Sequence, residues 1–209
     1  MPRREPITAD ELTRRLEADP EWVARRAERE RLHEERVAAL AKNEAPLIVA
    51  LKDAGIDVRS VWLLSNKHPN YRSAIPILLD HLDREYFDRI REGIARSLGA
   101  PEARQLAWDK VLSVLQHLRS TPQSDFRDGL VAAVSGMARS ADLPKLIELV
   151  ADPALGQSRL LLIPKLSRSR QPEALAILEK LKDDPDLYKE ISYRLKRKTL
   201  HGQSAARHS

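Results

Sequence analysis

Two nine-residue stretches, IREGIARSL (Ile90 to Leu98) and FRDGLVAAV (Phe126 to Val134), carry the same order of apolar, Arg, acidic, Gly and apolar residues 36 positions apart. Extending the arginine column backwards reaches Arg59 in DVRSVWLL. Extending it forwards reaches Arg159 in SRLLLIPKL and then Tyr188 in LYKEISYRL, with intervals of 32, 36, 32 and 29 residues. Self-similarity at such a period constrains a chain more than any composition value. A unit of this size cannot bury two helix faces alone, so neighbouring units must stack to make the core.

The apolar positions agree with helices. They fall at Ile90, Ile94, Ala95 and Leu98, at Phe126, Leu130, Val131 and Val134, at Leu162, Ile163 and Leu166, and at Leu187, Ile191 and Leu195. That spacing is one face of an α-helix. A second helix precedes each of these, with stripes LIVAL, ILLDHL, VLSVLQHL, KLIELV and ALAIL. Four of the five are expected to begin at proline, at Pro46, Pro76, Pro144 and Pro172, where the missing N–H costs nothing. Gly93 and Gly129 share a column where a missing side chain lets adjacent helices approach closely. Gly55 and Gly99 follow helices, where left-handed caps are expected.

Two helices precede the repeats. Thr8 and Glu11 form a T-x-x-E capping box, with Ile7 and Leu12 as a staple, for a helix over about 9–17. Asp19-Pro20 starts a second helix to about Lys42, supported by the pairs Glu21/Arg25, Arg26/Glu30 and Arg31/Glu35. With few apolar residues, it is either a solvated helix or an arm that docks a partner. The division expected is 1–44 for these helices, 45–198 for the repeats and 199–209 for a flexible basic tail.

Helix pairs with a proline-bearing first helix, an Asp-containing turn and an apolar-Arg start to the second resemble HEAT repeats. IDVRSVWLL and FDRIREGIARSLG carry the resemblance most clearly. It implies an all-α fold, a short right-handed α-solenoid of about five HEAT-like helix pairs preceded by two N-terminal helices. It also implies that the second helices line a concave surface that binds another macromolecule.

The net charge of +5 is unevenly placed. Residues 187–209 hold six basic side chains, Lys189, Arg194, Lys196, Arg197, Lys198 and Arg207, against the one acid Glu190, leaving thirty of each sign in the remaining 186 residues. Cysteine is absent, so disulfides, thiolate metal sites and cysteine nucleophiles are excluded. No apolar run reaches membrane-span length and MPRREPITADEL has no signal-peptide core, so a cytoplasmic location with no membrane association is expected.

No catalytic constellation stands out. None of the six histidines makes H-E-x-x-H, Asp80, His81 and Asp83 read as a solvated helix end, and Ser135-Gly136 lacks a nucleophile elbow. No metal and no cofactor is expected. The arginine column has two readings: internal pairing with acids such as Asp57, Asp88 and Asp125, or a row of guanidiniums facing a carboxylate or phosphate partner. On the second reading Arg59, Arg91, Arg96, Arg127 and Arg159 mark the concave face of a non-enzymatic scaffold that binds a protein or peptide, acidic in character. Trp62 is expected in the core beside Ile94 and Leu130, Trp108 in packing, and Trp22 as an anchor of the long helix.

The alternative is nucleic acid, through a resemblance to HEAT-like alkylpurine DNA glycosylases. Trp108-Asp109 invites that comparison, but a basic groove is missing from the repeats. On this alternative the contacts are Arg194, Lys196, Arg197 and Lys198. Bilin lyases with similar repeats offer no residue to compare.

Overall fold

The computed structural model describes residues 7–119 and 121–206, with side chains described through residue 197. Every regular element is helical, and no strand occurs among the described residues. No helix is long and apolar enough to cross a membrane. The chain forms two compact units, Met1–Asn43 and Glu44–Ser209.

In the first unit, α1 (Ala9–Glu17) is capped by Thr8, whose hydroxyl accepts from the Glu11 amide at 3.3 Å. The Glu11 carboxylate pairs forward with Arg15, and the expected staple residues Ile7 and Leu12 are both half-exposed. Asp19 caps the next helix by accepting from the amides of Glu21 and Trp22. The expected pairs Glu21–Arg25, Arg26–Glu30 and Arg31–Glu35 all form on its exposed surface. That helix, α2, does not stop near Lys42 but runs Pro20–Asp53, with Pro46 inside it. Burial of Glu44, Leu47 and Leu51 holds the last turns helical past the proline. Gly55, at φ +77°, then ends α2. Its amide donates to Lys52 O and that of Ile56 to Leu51 O, with Ile56 fully buried. This is the glycine-terminated helix end the sequence predicts there.

In the second unit, α3 (Tyr71–Leu82), α5 (Arg104–His117), α7 (Leu143–Ala151) and α9 (Pro172–Lys180) alternate with α4 (Asp88–Ser97), α6 (Asp125–Met137), α8 (Ile163–Arg168) and α10 (Tyr188–Ala206). Helix α3 contacts α5 and α7 contacts α9; α4 packs on α6, α6 on the 3-10 segment Pro153–Leu161, and α8 on α10. The predicted apolar column is the core except at Leu195, which is half-buried. Ile90, Ile94, Ala95, Leu98, Phe126, Leu130, Val131, Val134, Leu162, Ile163 and Leu166 are all buried.

Glycine sets the distance between the second-layer helices. A Cβ on Gly129 would lie 2.8 Å from Glu92 O, and one on Gly136 only 2.1 Å from Gly99 O. Gly93 faces side chains instead, those of Val61 and Trp62. Gly99 is not a left-handed cap; its φ is not positive, and a Cβ there would lie 3.2 Å from Ala133 Cα.

Three expectations need correction. The first of the five expected repeats has no second helix: DVRSVWLL forms only a 3-10 turn, Val61–Leu63, so four helix pairs are complete rather than five. The buried Glu44 carboxylate accepts from the Val61 amide at 2.6 Å and from Ser60 Oγ at 3.1 Å, fixing the turn from outside. Second, Pro76 lies inside α3, whereas Pro144 and Pro172 do sit at helix starts. Third, the stretch expected as a tail continues α10 to Ala206; Arg207 lies outside the described residues.

Candidate partner-binding surface

The arginine column does not form an exposed row. Each arginine after the first reaches forward into the next unit. Arg91 stacks its guanidinium 3.8 Å over the Phe126 ring, with Nε buried. Arg127, only 3 % exposed, donates to Thr121 O at 3.0 Å, Ala154 O at 3.3 Å and Gln123 Oε1 at 2.5 Å. The Gln123 amide donates in turn to Asp128, which also accepts from Ser158 Oγ. A neutral amide thus relays between a buried cation and a carboxylate, so the charge is not left alone in a low dielectric. Arg159, also 3 % exposed, lies in the 3-10 segment before α8. It donates to Gly156 O and makes ion pairs with Asp184 and Asp186. The guanidiniums of Arg127 and Arg159 are therefore spent inside the fold, and a partner cannot meet them there.

Asp88 makes a related link by accepting from the Phe126 amide at 3.2 Å, not by pairing with Arg91. Tyr71 adds another, its hydroxyl donating to Ser97 O at 2.5 Å. Burial, helped by the charge of Glu102, pushes that phenol up to about 12.

What remains accessible in the second-helix layer gathers at α4. Trp62, expected in the core, is 38 % exposed, because Arg59 to Leu63 never enters an α-helix and the column register does not apply there. The Arg89 guanidinium lies 3.8 Å over its ring. Glu92 is buried and accepts from Arg89 at 2.7 Å and from Arg96 at 2.8 Å. Positions 89, 92 and 96 share one face of α4, so a single buried carboxylate orients two partly exposed guanidiniums. One indole and two arginines are thus held in fixed geometry, carrying one net positive charge. Arg59 is exposed three residues before Trp62. Leu63, 64 % exposed, and Phe87, 51 % exposed, flank these elements in the chain. The sequence reading places Trp62 in the core and does not single out Arg89 or Glu92, because Arg89 stands outside the arginine column; the available signal is the i, i+3, i+7 spacing of Arg89, Glu92 and Arg96.

At the end of the chain, Arg194 pairs with Glu190 at 2.7 Å. Arg194 and Arg197 lie within 6 Å of the Tyr193 ring centroid, and Lys189 lies by Tyr188. Both tyrosines and Lys196 are exposed, whereas the side chain of Lys198 is outside the described residues. Trp108 is half-buried under Arg104, and Trp22 half-buried near Arg26.

The histidine expected at a solvated helix end is instead buried. His81 Nδ1 and the Tyr86 hydroxyl are 2.6 Å apart, and burial, with Arg84 adding to it, lowers the His81 pKa. Among the described residues no three His, Asp or Glu side chains gather to hold a metal ion. In comparisons with protein-family models, curated proteins and solved structures, nothing matches this chain.

Proposed function

We propose that this chain is a short α-solenoid acting as a non-enzymatic binding module for an acidic protein or peptide, engaged at the α4 face around Trp62. Two layers of helices joined in chain order support the solenoid reading. The observation that carries the binding reading is the exposed Trp62–Arg89 stack, pinned by buried Glu92. Tryptophan and arginine dominate binding energy at interfaces, and a pre-ordered pair loses little side-chain entropy on association. Arg89 and Arg96 retain N–H donors for a partner's carboxylates, while the indole edge and Leu63 offer apolar area.

Selection from a random peptide library tests this. Enriched sequences should place Asp or Glu beside an aromatic or aliphatic residue. The variant Trp62→Leu/Arg89→Gln should bind them about tenfold or more weakly, since it removes one charged hydrogen bond and one aromatic ring from the interface. Enrichment of basic peptides, or unchanged binding by that variant, would contradict the reading.

A second reading, nucleic-acid binding by α10, is favoured by Tyr188 and Tyr193 lying exposed among basic residues, a combination that suits stacked bases and phosphates. Neutralising Arg194, Lys196, Arg197 and Lys198 should then flatten the salt dependence, by about one unit of slope for each phosphate that is no longer neutralised.

A further inference from the structure

A cleft of about 360 Å³ opens between the α6–α7 connection and the last turn of α8. It lies apart from the α4 face and has a different chemistry. Arg139 enters from the connection, and Lys165 and Arg168 enter from α8. None of the lining residues is acidic. Its floor is Leu143, Leu146 and Leu166, all buried.

The cations are what distinguish this cleft. Several nearby basic side chains are neutralised: Arg104 by Asp142, Arg119 by Glu148 and Asp152, Lys145 by Glu148, Arg159 by Asp184 and Asp186. Among the described residues no ion pair joins Arg139, Lys165 or Arg168 to a carboxylate. The nearest acid in sequence, Asp142, accepts from the Arg139 backbone amide, but its charge is met by Arg104. Arg168 Nε donates to Pro164 O, a carbonyl that carries no counter-charge. Cations in the last turn of a helix are ordinary. Helix α8 has only six residues, however, and Arg139 comes from the opposite wall. Three cations with no carboxylate partner among the described residues thus gather around one concavity, an arrangement that favours an anion from outside.

We propose that this cleft binds a small phosphate monoester, with the phosphate among Arg139, Lys165 and Arg168 and an apolar body over Leu143, Leu146 and Leu166. A phosphate monoester carries close to two negative charges at neutral pH and three acceptor oxygens, which matches three cationic donors better than a monocarboxylate does. The arginine forks suit phosphate bidentately and lysine adds a point charge. Ser140, also on the wall, offers a hydroxyl. The volume lies at the small end of the range for ligand pockets, about 300–1,000 Å³, and so fits a one-ring body rather than a large cofactor.

Calorimetric titration of the full chain with inorganic phosphate and with phenyl phosphate tests the proposal. Phenyl phosphate should bind, and more tightly than inorganic phosphate, because only it reaches the leucine floor. Phenol alone should not bind. Arg139→Gln/Lys165→Gln should weaken phenyl phosphate by about tenfold or more, the loss of at least one charged hydrogen bond. Arg139 is exposed and Lys165 half-buried, so the variant leaves the core intact; Arg139→Gln alone provides a milder check with the same expected direction. Three results would overturn the proposal. They are no binding of phenyl phosphate up to about 10 mM, equal binding by wild type and both variants, or displacement of phenyl phosphate by a short single-stranded oligonucleotide that binds more tightly. The last would assign the cleft to nucleic acid. None of these outcomes depends on Trp62 or Arg89, so the α4 reading stands or falls separately.

Discussion

Arg159 and Asp184, 25 residues apart, meet in a two-point ion pair, with Nη1 to Oδ2 at 2.8 Å and Nη2 to Oδ1 at 3.2 Å. Asp186 takes a further bond from Nη2. The contact ties the segment before α8 to the turn before α10. Arg127 makes the equivalent reach to Ala154 O, and Arg91 to the Phe126 ring. The periodic arginine is therefore a forward tie between successive units, and its partner changes from ring to carbonyl to carboxylate along the chain.

Reversing the charge at two of these ties should disrupt the fold. In Arg91→Glu/Arg127→Glu, the new carboxylate at position 127 would face Thr121 O and Ala154 O in a buried site. A loss above about 4 kcal/mol is expected, enough to unfold many domains. Arg59→Glu, at an exposed position, should stay within about 0.5 kcal/mol. Urea denaturation separates the two cases, and equal effects would mean the column is not structural.

Gly136→Ala should reverse the usual sign for a helical glycine. Helix propensity favours alanine by up to about 1 kcal/mol. Here the added Cβ would lie 2.1 Å from a backbone oxygen, Gly99 O, which cannot move without shifting the chain. A net loss of about 1–3 kcal/mol is expected. Leu130→Ala, at the centre of the column, should cost about 2–5 kcal/mol. Thermal melts of both would reveal a misplaced interface if Gly136→Ala were neutral or stabilising.

Two groups should give stability a pH dependence, at separate pH values. Burial lowers His81 below its ordinary value of 6.5, with Arg84 reinforcing it and Asp80 opposing. Its contribution is complete above about pH 6.5 and is lost as pH falls from there through the lowered folded value. His81→Gln, which keeps a partner for the Tyr86 hydroxyl, should flatten that region. Burial alone would raise Asp184, but hydrogen bonds from Arg159 and from the Asp186 and Leu187 amides outweigh it, so its pKa lies below 3.8. That stabilisation is present above about pH 4 and is lost on further acidification. Urea midpoints at pH 7.5, 5.5 and 3 check both. An unchanged pH 5.5 to 7.5 difference in His81→Gln would rule out His81 as its source.

Much of the architecture was readable because it depends on periodicity. Ile90, Ile94 and Leu98 and their counterparts Phe126, Leu130 and Val134 are buried where the spacing puts them. The caps at Thr8 and Asp19 follow from local chemistry, and the close approach at Gly129 from its shared column with Gly93. The errors arose where a tertiary partner overrides the pattern. Glu44, distant in sequence, fixes the Val61 turn and so releases Trp62 from the core register. Pro46 and Pro76 lie inside helices whose buried faces outweigh one missing hydrogen bond. The candidate surface was the least legible part. An arginine at a periodic position looks the same whether it points outward or into the next unit, and Arg89, which does face solvent, breaks the column.

The periodic arginines join units rather than meet a partner, and a double-mutant cycle on Arg159→Met and Asp184→Asn tests this most directly. Stability of the wild type, both single variants and the double variant should give a coupling of at least about 1 kcal/mol, as for residues in one hydrogen-bonded ion network. Additive effects, with coupling within about 0.3 kcal/mol, would contradict it and return the arginine column to the surface.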